Sequence, residues 1–346
     1  MCSVISVVNR SKKDVLLAKF KIKRLVSGGL ITNYFCASRC RHCLYNCSPN
    51  WEKIYINPQT AEENLRTIRK LGCSSVHIGG GEPLLKPDEL GDVLEISSKI
   101  GVNIEYVETN SSWYKDPDSA RTILLKLRKR GLQTLLVSIS PFHNEYIPFA
   151  KVKGVIEAAR QTGIGIFPWV SEFITDLSEL DAGATHALTE FETLFGRDYV
   201  TRLPQRYWIH MGGRALETFR PYLADKSAQQ IIDKNTGSCA TELLSTGHFH
   251  LDLFGNYIPG LCSGLSIARE DLGNPLSAEK YPVLTTLFHE GLRGIFKMAQ
   301  EKFNYTPAKE SYINKCDLCT EIRACFVEND FGGKADLNPK EFYQNI

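Results

Sequence analysis

Leu30-Ile-Thr-Asn-Tyr-Phe35-Cys36-Ala-Ser-Arg-Cys40-Arg-His42-Cys43 runs an apolar β-type segment straight into a loop that carries three thiols. The chain around it repeats the strand. From about Leu30 to Gly212, β-type runs alternate with helical patterns, as expected of βα units around a parallel sheet. Ser75 to Ile78 is the second run, Asn103 to Val107 the third, Leu132 to Ile139 the fourth, Ile164 to Val170 the fifth and Tyr207 to His210 the sixth. Helices are expected between them. One starts at the capping-box pattern Thr60-Ala-Glu-Glu63 and ends before Gly72, one runs from near Pro87 to Gly101, one is built on Leu124, Leu125 and Leu127, and one lies around Leu180 to Leu194. Such units predict an α/β fold, a partial (β/α)6 TIM-like barrel over residues 30–225, preceded by an N-terminal segment, 1–29.

Beyond Arg214 the pattern changes. A short helix through Phe219 is followed by loops, a hairpin (Phe249 to Leu253, turn Gly255-Asn256, Tyr257 to Pro259), a helix near Val283 to Phe303 and a cysteine-bearing tail. This predicts a small cysteine-rich α+β domain over 226–346.

The whole chain has 346 residues, enough for roughly two domains. Its 41 Lys and Arg against 39 Asp and Glu leave a net charge of +2, too balanced for a protein whose main partner is a nucleic acid. The run Lys126, Arg128, Lys129 and Arg130 reads as a solvated helix face. Met1 to Asp14 has the reverse order of a signal peptide, and no stretch approaches the roughly 18 apolar residues of a membrane span. A cytoplasmic, reducing location follows, with no membrane partner. Eleven cysteines in such a compartment point to metal binding or chemistry rather than cross-links.

Cys36, Cys40 and Cys43 share one loop and can converge on one metal centre. An iron–sulfur cluster normally takes four thiolates, so three leave one iron open to another ligand. Cys47 offers a fourth, and zinc is also compatible with four cysteines. The Cys-x3-Cys-x2-Cys spacing, with His42 as the aromatic residue before the last cysteine, resembles the signature of the radical S-adenosylmethionine (SAM) superfamily. The resemblance implies a [4Fe-4S] cluster on Cys36, Cys40 and Cys43 whose open iron is chelated by the amino and carboxylate groups of SAM. It extends to the loops after later strands. Gly79-Gly80-Gly81-Glu82-Pro83 resembles the family's Gly-Gly-Glu segment that meets the SAM ammonium, which implicates Gly80, Gly81 and Glu82. Glu108-Thr109-Asn110-Ser111 resembles the stretch lining the SAM site, which implicates Thr109 and Asn110. Val137-Ser138-Ile139-Ser140 resembles a Ser-x-Asp pattern that contacts the ribose; Ser140 stands where the aspartate would be, so only Ser138 is carried over. Gly163 to Pro168 resembles the adenine-facing segment. These loops follow successive expected strands, at the barrel end where functional residues gather.

The second cysteine group is Cys239, Cys262, Cys316-Asp-Leu-Cys319 and Cys325. It resembles the twitch or SPASM extensions of radical SAM enzymes, which hold auxiliary iron–sulfur clusters. With Asn329 at the next ligand place, one auxiliary [4Fe-4S] cluster is implied, on Cys239, Cys262, Cys316 and Cys319. Cys325 is either a further ligand or a thiol that returns a hydrogen atom to a substrate radical. A structural zinc site is the plainer reading of the same cysteines. Cys2 and Cys73 look incidental; His248 and His250 alternate on one strand face and either touch a metal or substrate or, the plainer reading, are surface or hydrogen-bonded histidines on a hairpin. His143 and Glu145 follow the fourth run and are candidates for proton transfer by location.

The resemblance therefore implies reductive cleavage of SAM to a 5′-deoxyadenosyl radical that abstracts hydrogen from a peptide or small-molecule substrate, ending in oxidation, cross-linking or epimerisation. A reductant such as flavodoxin or ferredoxin is the implied partner. The 29 residues before the first run are too few for a fused leader-peptide-binding domain, and no cobalamin domain is apparent. The alternative is a non-catalytic zinc-binding or iron–sulfur electron-transfer protein.

Overall fold

In a computed structural model, residues 19–331 and 335–346 are described; Cys2 and the stretch from Met1 to Asp14 lie outside the described residues. Five strands follow the expected runs: β1 (Gly28–Ile31), β2 (Ser75–Gly79), β3 (Asn103–Thr109), β4 (Thr134–Ser138) and β5 (Gly165–Trp169). They are joined in parallel, each to its neighbour in sequence. Long helices make the crossovers, and their apolar stripes, through Leu65, Ile68, Leu94, Leu124 and Val155, are buried. The first helix, Pro58–Lys70, begins before the Thr60 pattern because Asn57 caps it, accepting from Thr60 N at 2.8 Å with Pro58 in the opening turn. The helix Pro87–Ile100 stops at Gly101, whose φ of 76° is the left-handed conformation glycine tolerates.

The sixth parallel strand is not Tyr207 to His210. That segment leaves the helix Tyr199–Arg206 without entering the sheet, and the free edge of β1 is taken by β6 (Phe249–Asp252), with Gly28 opposite Phe249 and Leu30 opposite Leu251. β7 (Asn256–Ile258) and β8 (Ile267–Ala268) continue antiparallel, giving the order β5-β4-β3-β2-β1-β6-β7-β8 among the described strands. The expected hairpin therefore exists, but its first strand completes the parallel set, and the sheet runs unbroken into the second half of the chain. Tyr207 is drawn over the barrel mouth instead: its ring packs against His42, Trp169 and Phe173 at 5.3, 6.2 and 6.0 Å. The helix expected around Leu180 to Leu194 is confined to Leu188–Phe195, after a separate short helix Phe173–Ser178.

Alternation along the strands points every second residue into the open barrel. Tyr106 and Glu108 of β3, Leu136 and Ser138 of β4 and Trp169 of β5 all face one cavity. In the basic run at the end of the helix Pro117–Lys129, Lys126, Arg128 and Lys129 are exposed, while Lys126 also pairs with Asp88, and Arg130 with Asp92 and Glu95, at 2.5–2.6 Å. No described helix is long and apolar enough to cross a membrane.

Candidate metal centres

The thiol loop is laid down on the loop that follows β2. Gly81 N donates to Asn33 O at 2.7 Å, Glu82 N to Phe35 O at 3.3 Å, and Cys36 N to Ser48 O at 3.1 Å. This contact explains the glycines. Gly80 has φ +132°, and a Cβ there would stand 2.4 Å from Asn33 O; at Gly81 it would stand 2.0 Å from Phe35 O. Both also line the cavity, but the closest approach they permit is loop against loop. Gly80→Val, which a ligand-approach role alone would make a clean test of SAM binding, should instead disturb fold and site together. Gly81→Ala is expected to lower stability by on the order of 3 kcal/mol in urea unfolding, with cluster iron falling in parallel; a variant as stable as wild type would remove the steric argument.

The Glu82 carboxylate does not reach the cavity. It is fully buried and accepts from Leu84 N (3.0 Å), Asn110 N (2.6 Å) and Thr109 Oγ1 (3.1 Å), so it ties the β2 loop to the β3 loop. Burial pushes its carboxyl up to about 7 in spite of these donors. The Thr109 hydroxyl is equally spent, accepting also from Ser111 N (3.0 Å) and Trp113 Nε1 (2.9 Å). Glu82→Ala orphans these donors and should cost on the order of 3 kcal/mol; a loss in urea unfolding below about 1 kcal/mol would mean the strut is not needed.

Cys36, Cys40, His42, Cys43, Gly80, Gly81, Thr109, Asn110, Ser138 and His143 line one cavity of about 240 Å³. Cys36 Sγ accepts from Asn110 Nδ2 at 3.2 Å and from Ser38 N at 3.4 Å. Burial pushes the Cys36 thiol up to about 12 and that of Cys40 up as well, whereas a hydrogen bond from Cys47 and the charge of Arg214 hold Cys43 below the ordinary thiol range. Cys47 lies in the same wall. The His42 ring stacks on Phe142 at 4.8 Å, and Tyr207 OH meets its Nε2 at 3.1 Å, while its buried Nδ1 finds no partner among the described residues. Ser140, which stands where the Ser-x-Asp pattern has its aspartate, caps the helix Pro141–Asn144 and holds His143 Nδ1 at 2.7 Å. Burial lowers His143 to about 4, leaving it neutral at pH 7.

Two expected residues fall elsewhere. Glu145 is not in the cavity wall; its carboxylate is taken by Arg41 Nε at 2.9 Å. Gly163 ends a helix with φ 67°, and Trp169 lines the cavity, whereas Gly163 to Phe167 do not. Conversely, Tyr45, Glu108, Tyr207 and His210 line the cavity without having been singled out. Strand alternation from Tyr106 could have found Glu108; nothing local could have placed Tyr207. Glu108 is pushed up to about 7 by burial and by Cys43, and a Cβ at Gly79 would stand 2.7 Å from its Oε2, so the glycine leaves it room. His250 is buried in a chain of contacts, Tyr45 OH to His250 Nδ1 at 2.7 Å and His250 Nε2 to His77 Nε2 at 2.9 Å.

Cys239, Cys262, Cys316 and Cys319 come together around a second cavity, of about 270 Å³, with Arg323 and Lys315 in its wall. His210 and His248 line both cavities. Cys239 N donates to Leu287 O at 2.9 Å, and the chain before it presses on Gly291, where a Cβ would stand 2.2 Å from Gly237 O. Cys316 and Cys319 lie in the first two turns of the helix Lys315–Glu328, capped by Asn314, which accepts from Cys316 N at 2.9 Å. Cys325 is on the same helix but not in this wall. Among the described residues, no three His, Cys, Asp or Glu side chains meet closely enough for a single metal ion. The thiols stand around open volume, and their soft sulfur donors suit a sulfur-ligated cluster.

Comparison with known proteins agrees with the first half of this geometry. The radical SAM superfamily matches residues 30–175. A GTP 3′,8-cyclase of Aquifex aeolicus (strain VF5) is 28% identical over 145 residues, which cover 38% of this chain and 42% of that protein. The match thus spans well under half of the curated relative. Among solved structures, native anSMEcpe with bound AdoMet aligns with 12% identity over 89% of this chain and 98% of that one, TM-score 0.42. Streptococcus suis SuiB bound to precursor peptide SuiA aligns with 15% identity over 88% and 72%, TM-score 0.33. Residues 30–175, with the thiol loop at the end of β1, are thus similar to the radical SAM superfamily.

Proposed function

We propose that this chain cleaves SAM reductively at a [4Fe-4S] cluster on Cys36, Cys40 and Cys43, and that a second [4Fe-4S] cluster sits on Cys239, Cys262, Cys316 and Cys319. The observation that carries this is the separation of the thiols into two walled cavities, one at the barrel mouth with three cysteines of the signature and one beside it with four. When bound, the first cluster and SAM supply a 5′-deoxyadenosyl radical for hydrogen abstraction from a peptide or small molecule. The protein's own task is to hold and orient. Ser138, at the end of β4 and in the cavity wall, would meet a ribose hydroxyl. The backbone at Gly80 and Gly81 offers the ammonium its contact, since the Glu82 carboxylate is turned inward. Asn110 fixes Cys36 through its sulfur. The shared wall of His210 and His248 is where a substrate would face both centres, and an electron donor of the flavodoxin or ferredoxin type would reduce the protein.

Anaerobic reconstitution with iron and sulfide should give brown protein with about eight irons per chain, and SAM with dithionite should then yield 5′-deoxyadenosine. Colourless protein that takes zinc and leaves SAM intact would replace this function with the structural-zinc alternative.

A further inference from the structure

Arg214 is buried, 3% exposed, and its guanidinium has no carboxylate partner among the described ion pairs. All its contacts are with carbonyls. Nε donates to Cys40 O at 3.0 Å, one terminal nitrogen to Cys47 O, and the other to Asn345 O at 3.2 Å; its backbone N donates to Cys43 O at 3.1 Å. The two glycines before it press the same loop. At Gly213, φ +53°, a Cβ would stand 2.4 Å from Cys43 O, and at Gly212 it would stand 2.8 Å from Leu44 Cδ1. Nearby acids are engaged elsewhere: Glu145 with Arg41 at 2.9 Å, Glu217 with Arg220 at 3.2 Å.

A guanidinium taken out of water without a counter-charge is costly, and proteins tolerate it only where something nearby is negative. Here the surrounding candidates are the thiols of Cys40 and Cys43, which become anionic when they ligate, with the Cys47 thiol beside them. We infer that Arg214 is the built-in counter-charge of the barrel-mouth centre, holding the thiol loop by its carbonyls and making the bound cluster easier to reduce. The inference rests on the cluster assignment above. Its physical content is separate. An arginine that served only as a strut would stabilise the loop equally with and without a cluster, whereas a counter-charge stabilises the loaded protein selectively and stabilises the reduced, more negative state most.

The test uses protein whose second cluster has been removed by Cys316→Ala and Cys319→Ala, so that one centre is observed by electron paramagnetic resonance during a redox titration. Arg214→Met should lower the ratio of reduced to oxidised cluster about tenfold at a fixed potential, a downward midpoint shift of about 59 mV for one electron. Arg214→Lys keeps the charge and should stay within about twofold of wild type, even if it retains iron less well. The iron-free proteins should melt closer together than the loaded ones. If Arg214→Met takes up no cluster while Arg214→Lys does, the charge requirement stands. An unchanged midpoint in Arg214→Met, equal loss of iron in both variants, or equal destabilisation with and without iron would reduce Arg214 to a strut. Wild-type protein that binds no cluster at the barrel mouth would instead overturn the functional proposal itself.

Discussion

Protein in which Cys36, Cys40 and Cys43 are all replaced by Ala is expected to keep about half of the wild-type iron and to form no 5′-deoxyadenosine from SAM and dithionite. The three thiols belong to one loop with its own cavity, and none of them lines the second cavity. Their removal should leave the fold largely standing. The loop's attachment runs through backbone groups, Cys36 N to Ser48 O and Arg214 to the carbonyls of Cys40 and Cys47, which alanine retains. Burial in the iron-free state favours protonated thiols at Cys36 and Cys40, so cluster assembly must release protons, and loading should improve as pH rises from 6 to 8. Unchanged iron in the triple variant, or continued SAM cleavage, would exclude these residues as the seat of the chemistry.

Why so much of the barrel was legible follows from its construction. A buried parallel strand is a short apolar run, and β2 to β5 announce themselves as such between helices with readable caps and glycine stops. Tyr207 to His210 satisfies the same local rule and is no strand, because strand status depends on a partner edge. Phe249–Asp252 takes the free edge of β1, nearly 220 residues away in sequence. No periodicity encodes that competition. The site was legible to the extent that it lies at strand ends: Cys36, Gly80, Asn110 and Ser138 were placed by counting from strands. What a side chain does there was less so. Glu82 reads as a carboxylate for an ammonium until its acceptors are seen to be filled by Leu84, Thr109 and Asn110. Arg214 carried no motif at all, and its interest appears only when its burial and its lack of a carboxylate partner among the described ion pairs are known together.

The second large effect separates cysteines that spacing alone kept together. Replacing Cys316 and Cys319 by Ala should remove the auxiliary cluster, leaving about half of the iron, and should spare SAM cleavage while abolishing turnover of substrate. Cys325→Ala should keep the iron of both centres. The difference is helical geometry. Cys316 and Cys319 are three residues apart on the helix Lys315–Glu328 and share a face with Arg323, all three lining the cavity. Cys325 comes nine residues after Cys316, and at about 100° per residue that turns it about 180° to the opposite face. There its sulfur lies 3.7 Å from Asn329 Nδ2, and it is absent from both cavity walls. Neither of the roles its spacing suggested, cluster ligand or hydrogen donor to a substrate radical, is supported by that position. Iron analysis and the spectrum of the auxiliary centre decide the first. The second is decided by product formation and by solvent deuterium in the product, because a thiol exchanges its proton with water. Loss of auxiliary iron in Cys325→Ala would mean that the helix unwinds when the cluster binds. Intact iron with full turnover leaves Cys325 as a half-buried thiol on the outer face of a helix whose other face lines the second cavity.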